Sequence, residues 1–267
     1  LLHLILKSRT NDPQSFDKKP LSYLPVNQYI EWWDTLPNRF KDKIVKRWNE
    51  PNNAWTYYYP NESISIGSID INAILRIDSR IYFGTMNGLL SLDLYNRSWD
   101  NINTINGLND SAVWDLLEHN GSIYIATSRG INEISIVENI VIPDSEKRFE
   151  QFNMLNIYDI EADSQFLYIA SDAGLFQVDW ESSEMKIPSK RIFKQIRLKS
   201  DNIIGSDGKL WSVHKNNREV FLRDNTQFFD ICGSFIWSTN GNRYISLLDT
   251  LSGQVWDFSK EDGVIGD

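Results

Sequence analysis

The chain is poor in the chemistry that is simplest to recognise. A single cysteine, Cys232, stands among 267 residues, which excludes an intramolecular disulfide and any cysteine-based zinc cluster. The three histidines, His3, His119 and His214, are dispersed and lack the short spacing of a metal site. No EF-hand pattern, P-loop, Gly-x-Ser-x-Gly elbow or dinucleotide fingerprint occurs, so neither a metal nor a cofactor is implied. No apolar run reaches the ~18 residues of a membrane-spanning helix, and no membrane insertion is expected within this chain. Positive charge is the minority: 27 Lys and Arg against 36 Asp and Glu give a net of −9. Phosphate binding wants a basic face, which argues against a nucleic-acid partner. What is plentiful is apolar surface. Hydrophobic residues make up 41% and aromatics 13%, enough for a large core and too much for wholesale disorder.

Residues 1–54 differ from the rest. They hold nine basic and six acidic residues, a net of +3, which leaves −12 on the remainder. Pro13, Pro20, Pro25 and Pro37 break the segment. It reads as an N-terminal extension with short helices: Asn27 caps one, and Thr35 with Pro37 opens a second that runs through Trp48. Phe40, Ile44, Val45 and Trp48 then form one apolar stripe. Its basic side fits either a docking helix or a solvated face over packed tryptophans. The opening Leu1–Leu6 run is short enough for a buried strand; the tail of a secretory leader is the alternative.

From Trp55 onward the signal is repetition. Ile81-Tyr82-Phe83-Gly84-Thr85, Ile123-Tyr124-Ile125-Ala126-Thr127 and Leu167-Tyr168-Ile169-Ala170-Ser171 place tyrosines 42 and 44 residues apart. Leu210-Trp211-Ser212 and Ile236-Trp237-Ser238-Thr239 read as fourth and fifth copies, at spacings of 43 and 26. The short last spacing predicts a missing strand. A polar turn precedes each copy, and a turn such as Asn87-Gly88, Arg129-Gly130 or Ala173-Gly174 follows it. Alternating strands come next. Three turns joining four antiparallel strands in about 43 residues mark a propeller blade. A blade cannot bury both faces alone, so neighbours must stack around an axis. The expected fold is therefore an all-β propeller over 55–267, with about five blades visible and a truncated larger ring.

The stretch Asn106-Gly107-Leu108-Asn109-Asp110-Ser111-Ala112-Val113-Trp114-Asp115-Leu116, with Tyr124-Ile125-Ala126-Thr127-Ser128-Arg129-Gly130-Ile131, closely resembles the two-component-regulator propeller repeat. Tyr82–Leu89 matches its second half, and Asp262-Gly263-Val264 resembles the start of another unit. The resemblance implies a periplasmic or cell-surface propeller of the kind found as sensor ectodomains, part of a longer membrane-anchored sensor. It implies an oligosaccharide as ligand; the expected function is a non-catalytic module that binds an oligosaccharide or a protein. A propeller-fold carbohydrate-active enzyme and a structural module of a surface or secretion-system protein are the alternatives.

Aromatic-Asp-aliphatic recurs as Trp114-Asp115-Leu116, Tyr158-Asp159-Ile160 and Phe229-Asp230-Ile231. First strands are innermost in a propeller, so Asp115, Asp159 and Asp230 are expected at the axis. There they bind sugar hydroxyls, act as an acid/base pair, or cap backbone N–H groups; glycoside chemistry needs a carboxylate separation that sequence does not show. Ten tryptophans either stack on sugar rings or pack between blades, with Trp114, Trp211 and Trp237 expected on inner strands. Loops 60–72, 105–113 and 143–157 are the expected contact surface. The candidate ligand-binding set is Asp110, Trp114, Asp115, Tyr158, Asp159 and Asp230. Cys232 reads as a small buried hydrophobe, and His119, beside the Asn120-Gly121 turn, as exposed.

Overall fold

A computed structural model describes residues 45–49, 54–58, 70–142, 148–214, 217–239, 245–259 and 262. A hairpin opens it, with β1 (Val45–Asn49) paired antiparallel to β2 (Ala54–Tyr58). Three meanders follow: β3 (Ile71–Ile77), β4 (Arg80–Thr85), β5 (Gly88–Asp93) and β6 (Ser98–Ile102); then β7 (Val113–His119), β8 (Ser122–Thr127) and β9 (Gly130–Ser135); then β10 (Ile157–Ala162), β11 (Phe166–Ser171), β12 (Gly174–Asp179) and β13 (Met185–Ser189). The fourth is β14 (Gln195–Lys199), β15 (Asn202–Ser206), β16 (Gly208–His214) and β17 (Glu219–Thr226), and the fifth β18 (Phe228–Cys232), β19 (Phe235–Thr239), β20 (Ile245–Asp249) and β21 (Val255–Phe258). All five sheets pair strands in sequence order and antiparallel. Blade two shows three strands, with Ile134 bridging Val141 where a fourth would begin.

The first strand of each sheet packs against the first strand of the next: β3 on β7, β7 on β10, β10 on β14 and β14 on β18. That is the propeller arrangement, with first strands innermost. Apolar clusters fill the gaps between blades. Tyr82, Leu89, Val113, Ile123 and Ile125 join blades one and two, and Tyr124, Ile131, Ile157, Ile169 and Phe176 join two and three. Tyr168, Leu175, Phe193, Ile196 and Ile203 join three and four, and Ile204, Leu210, Phe229 and Ile236 join four and five. The repeated tyrosines are therefore inter-blade wedges, at most 4% exposed.

The residue that closes each repeated motif fixes the turn between second and third strands. Thr85 Oγ1, Thr127 Oγ1 and Ser171 Oγ each donate to the carbonyl of the glycine three residues on, at 2.9, 2.8 and 3.0 Å. Each hydroxyl also accepts the amide two residues on, from Asn87, Arg129 and Ala173. Gly88 has φ +106°, and a Cβ there would lie 2.5 Å from the Ile102 carbonyl oxygen; the next strand passes too close for a side chain.

The sequence expectations need correction at several places. Val45–Asn49 is a strand, so the helix expected through Trp48 does not extend over its last residues; 1–44 lies outside the described residues. The hairpin straddles the expected domain boundary at 54/55. The fourth copy is shifted by one strand. Leu210-Trp211-Ser212 lies on the third strand β16, and Ile203 on β15 takes the tyrosine place, 35 residues after Tyr168 and 33 before Ile236. Blades four and five each show all four strands and span about as many residues as blades one and three; the spacing falls because the connections between blades shorten, to five residues between β13 and β14 and one between β17 and β18. Trp211 and Trp237 accordingly lie on third and second strands, not on inner ones. Cys232 is exposed, and His119 is half-buried, its ring stacked on Trp180 at 4.3 Å.

Candidate functional site

In a four-stranded meander, the turns between second and third strands share one face with the connections between blades. Main-chain bonds confirm that grouping: Gly88 N donates to Ser111 O, Ser128 N to Ala112 O, Asp172 N to Asn156 O, and Lys194 N to Ser206 O. On this connection face the inner strands begin. β3, β7 and β10 each carry a bulge there, between Ile71 and Ala73, Val113 and Asp115, and Ile157 and Asp159. The bulged residues are Asn72, Trp114 and Tyr158. Bulges re-aim side chains at the rims of barrels and beside sites.

Trp114 is half-buried, and its Nε1 donates to Ser128 Oγ at 2.8 Å. Tyr158 is half-buried beneath the Lys194 ammonium, 3.1 Å from its ring centre. Asp110 Oδ1 accepts from Ala112 N at 2.9 Å, an Asx turn that shapes the approach to β7. Loops 60–69 and 143–147 of the expected contact surface lie outside the described residues.

The aspartates that follow the bulges turn toward the next blade. Asp115 Oδ2 accepts from Ile160 N of β10 at 3.0 Å, and Asp159 Oδ2 accepts from Ile196 N of β14 at 2.6 Å. Two amides serve the same purpose elsewhere. Asn72 Nδ2 donates to Val113 O at 2.8 Å, while Gln195 donates to Phe229 O at 2.7 Å and accepts from Phe229 N at 3.0 Å. Four successive inner strands thus satisfy, by side chain, the edge groups of the strand that follows. An inner strand has a partner on one side only, and its free N–H and C=O groups need such partners when buried.

Asp230 breaks the pattern. β18 pairs without a bulge, Phe228 with Thr239 and Phe229 with Ser238, so Asp230 is displaced by one residue relative to Asp159. A one-residue shift exchanges faces. Asp230 is exposed, accepts from its own neighbour Ile231 N at 2.9 Å, and lies 3.8 Å from Arg197 Nε.

Arg197 is the residue that sequence reasoning missed. Its Nη1 lies 3.2 Å from Asp159 Oδ2 and 3.1 Å from Glu161 Oε1, and donates to Ile196 O at 2.6 Å. One guanidinium from blade four thus faces carboxyls from blades three and five, with Asp115 of blade two behind them. Asp115 and Asp159 converge on a single donor, since Ile160 N also reaches Asp159 Oδ1 at 3.1 Å. Burial raises the Asp159 carboxyl well above the usual range, and the Asp115 charge and their shared hydrogen bond add to it; Arg197 and the Ile196 amide oppose the rise. Glu161 is pushed up to about 7, chiefly by burial and then by Asp115, against the pull of Arg197. Burial works against the Arg197 charge, but Asp159, Glu161, Asp115 and Asp230 outweigh it and raise its pKa. Among the described residues, no three His, Cys, Asp or Glu side chains are arranged to hold a metal. A polar groove of about 410 Å³ between blades one and two, lined by Arg80, Asp100, Asn106, Glu138 and Asn139 among others, includes none of the expected site residues.

No sequence family and no curated protein matches the chain. Solved structures do. The extracellular domain of BT4673 from B. thetaiotaomicron, assigned to a hybrid two component system, is 19% identical with a TM-score of 0.59, covering 77% of this chain and 30% of that one. The extracellular domain of BT3049 from the same organism, likewise assigned, is 14% identical at 0.54, covering 81% and 38%. PorZ, a surface component of the type-IX secretion system of Porphyromonas gingivalis, is 11% identical at 0.56, covering 85% and 31%. The chain spans about a third of the length of these proteins. At such identities the likeness speaks for fold: the chain has the blade architecture of propeller-type extracellular domains of two-component systems.

Proposed function

We propose that the chain is a non-catalytic, extracytoplasmic propeller module, periplasmic or at the cell surface, that recognises an oligosaccharide or a protein on its connection face. One observation carries the reading: Trp114 and Tyr158 occupy matching bulges on neighbouring inner strands, half-exposed at the mouth where the connections gather. Rigid aromatic faces set on a scaffold suit sugar rings and hot-spot contacts alike. The likeness to sensor ectodomains supports an input role in signal transduction, within a longer membrane-anchored protein. Asp115 and Asp159 act as inter-blade clasps in this reading, because their oxygens are committed to main-chain amides and a guanidinium.

Glycan-array screening followed by calorimetry tests it. Trp114→Ala and Tyr158→Ala should each weaken a detected ligand by about 1–3 kcal/mol, the size of a stacking anchor, with thermal stability nearly unchanged. Glycan turnover that Asp115→Asn and Asp159→Asn abolish, with binding kept, would replace the sensor by an enzyme. The similarity to PorZ favours a second reading, a structural module of a surface assembly. That reading predicts no glycan binding and retention of the chain on a partner protein.

A further inference from the structure

We propose that Arg197 and the carboxyls of Asp115, Asp159 and Glu161 form a proton-controlled clasp across blades two to four, tight in mildly acidic solution and loosened as the solution turns alkaline. The inference is independent of what the connection face binds. Its basis is a count of charges in one confined place: the carboxyls of Asp159 and Glu161 meet one guanidinium from the next blade, with the Asp115 carboxyl of the preceding blade beside them and the exposed Asp230 only at the rim. Asp159 is 4% exposed, and the side chains of Glu161 and Arg197 are 24% and 33% exposed. With every one of these groups ionised, two negative charges stay uncompensated at the inner edges of blades two and three, since the exposed Asp230 is solvated. Holding a proton on Asp159, and another on Glu161, removes most of that repulsion while the main-chain amides keep their acceptor oxygens.

The groups facing Glu161 are Asp115 from β7, Asp159 from its own strand, Arg197 from β14 and Asp230 from β18. On β11 the cross-strand neighbour is Tyr168, whose hydroxyl donates to Asp163. The remaining cation of β14, Lys199, is turned to the Gly233 carbonyl. No second cation among these groups offsets the carboxyls. Both acids titrate higher in the folded chain than in the unfolded one, so between those values the folded state binds more protons and stability falls as pH rises. For Glu161 the window runs from the ordinary 4.5 to about 7; for Asp159 it starts at the ordinary 3.8 and extends upward. The aspartates follow Trp114 and Tyr158 directly on their bulges, so slackening of the clasp reaches the mouth through one peptide unit.

The test compares melting temperatures at about pH 5.5 and pH 8.5 for the wild-type chain, Glu161→Gln and Asp159→Asn, with the exposed Glu138→Gln as control. The wild type and the control should melt several degrees lower at the alkaline pH, and each clasp variant should lose about half of that difference or more. A clasp variant with the full wild-type difference, or a wild type more stable at the alkaline pH, overturns the proposal. Carbon-detected NMR titration of Glu161 in the unaltered protein stands apart from any folding defect. A midpoint near neutrality supports the clasp, and one in the ordinary carboxylate range sinks it.

Discussion

Single residues decide where one blade can approach the next, and glycine shows it most plainly. Gly174 has φ +120°, and a Cβ there would stand 2.8 Å from the Ser189 carbonyl oxygen. Gly233 also has positive φ, at +60°, but nothing lies within 4 Å of its missing Cβ. Gly174→Ala combines an unfavourable backbone with a collision against main chain, so it should cost about 2–3 kcal/mol, whereas Gly233→Ala should cost about 1 kcal/mol. Urea unfolding of the two variants checks the ordering, and equal losses would mean that the β13 backbone yields to the added methyl. The aspartates teach the same lesson from the other side. Asp115, Asp159 and Asp230 sit in near-identical tripeptides, yet two are clasped to the following blade and the third is exposed, and only backbone register separates them.

At the scale of the strand, the inner-edge clasp is the recurrent device, and its chemistry varies along the chain. Asn72 meets a carbonyl, Asp115 and Asp159 meet amides, and Gln195 meets both groups of Phe229. Gln195→Ala would leave the buried Phe229 without partners for its N–H and C=O, and should destabilise the chain by about 1–3 kcal/mol. Gln195→Glu keeps the acceptor and loses the donor, so its loss should be intermediate; thermal melts of the pair give the comparison, and an Ala variant as stable as wild type would mean that water replaces the clasp. How much of this was legible follows from what period and turn chemistry report. The tyrosines, the Thr–Gly turns and the inner position of Trp114-Asp115 and Tyr158-Asp159 are local patterns, and the sequence carried them correctly. Bulges leave no mark in composition. In pattern, the sequence around Asp230 is therefore indistinguishable from that around Asp115 and Asp159, and Leu210-Trp211-Ser212 on β16 imitates the tyrosine strand. Arg197 and Gln195 carry no signal of their own, because their roles exist only across a blade boundary some 35 residues away in sequence.

For the whole molecule, the consequence of building from blades is that no apolar cluster spans more than two neighbouring blades. Ile204, Leu210, Phe229, Ile236 and Leu248 close the seam between blades four and five, and none of them belongs to the cluster of Tyr82, Val113, Ile123 and Ile125 between blades one and two. Stability in such an array is a sum of units and of the seams between neighbours. Ile236→Ala, at a fully buried position, should cost about 2–5 kcal/mol through lost transfer energy and the cavity left behind. That loss should stay local. Hydrogen exchange should quicken at the amides of β15, β18 and β19 while those of β4, β8 and β11 keep their protection, because local openings follow cooperative units rather than the whole chain. Uniform acceleration across all five sheets would show instead that the blades unfold as one body. In that case the inner-edge clasps, which run without a break from Asn72 to Phe229, would be what couples seams that the apolar clusters keep separate.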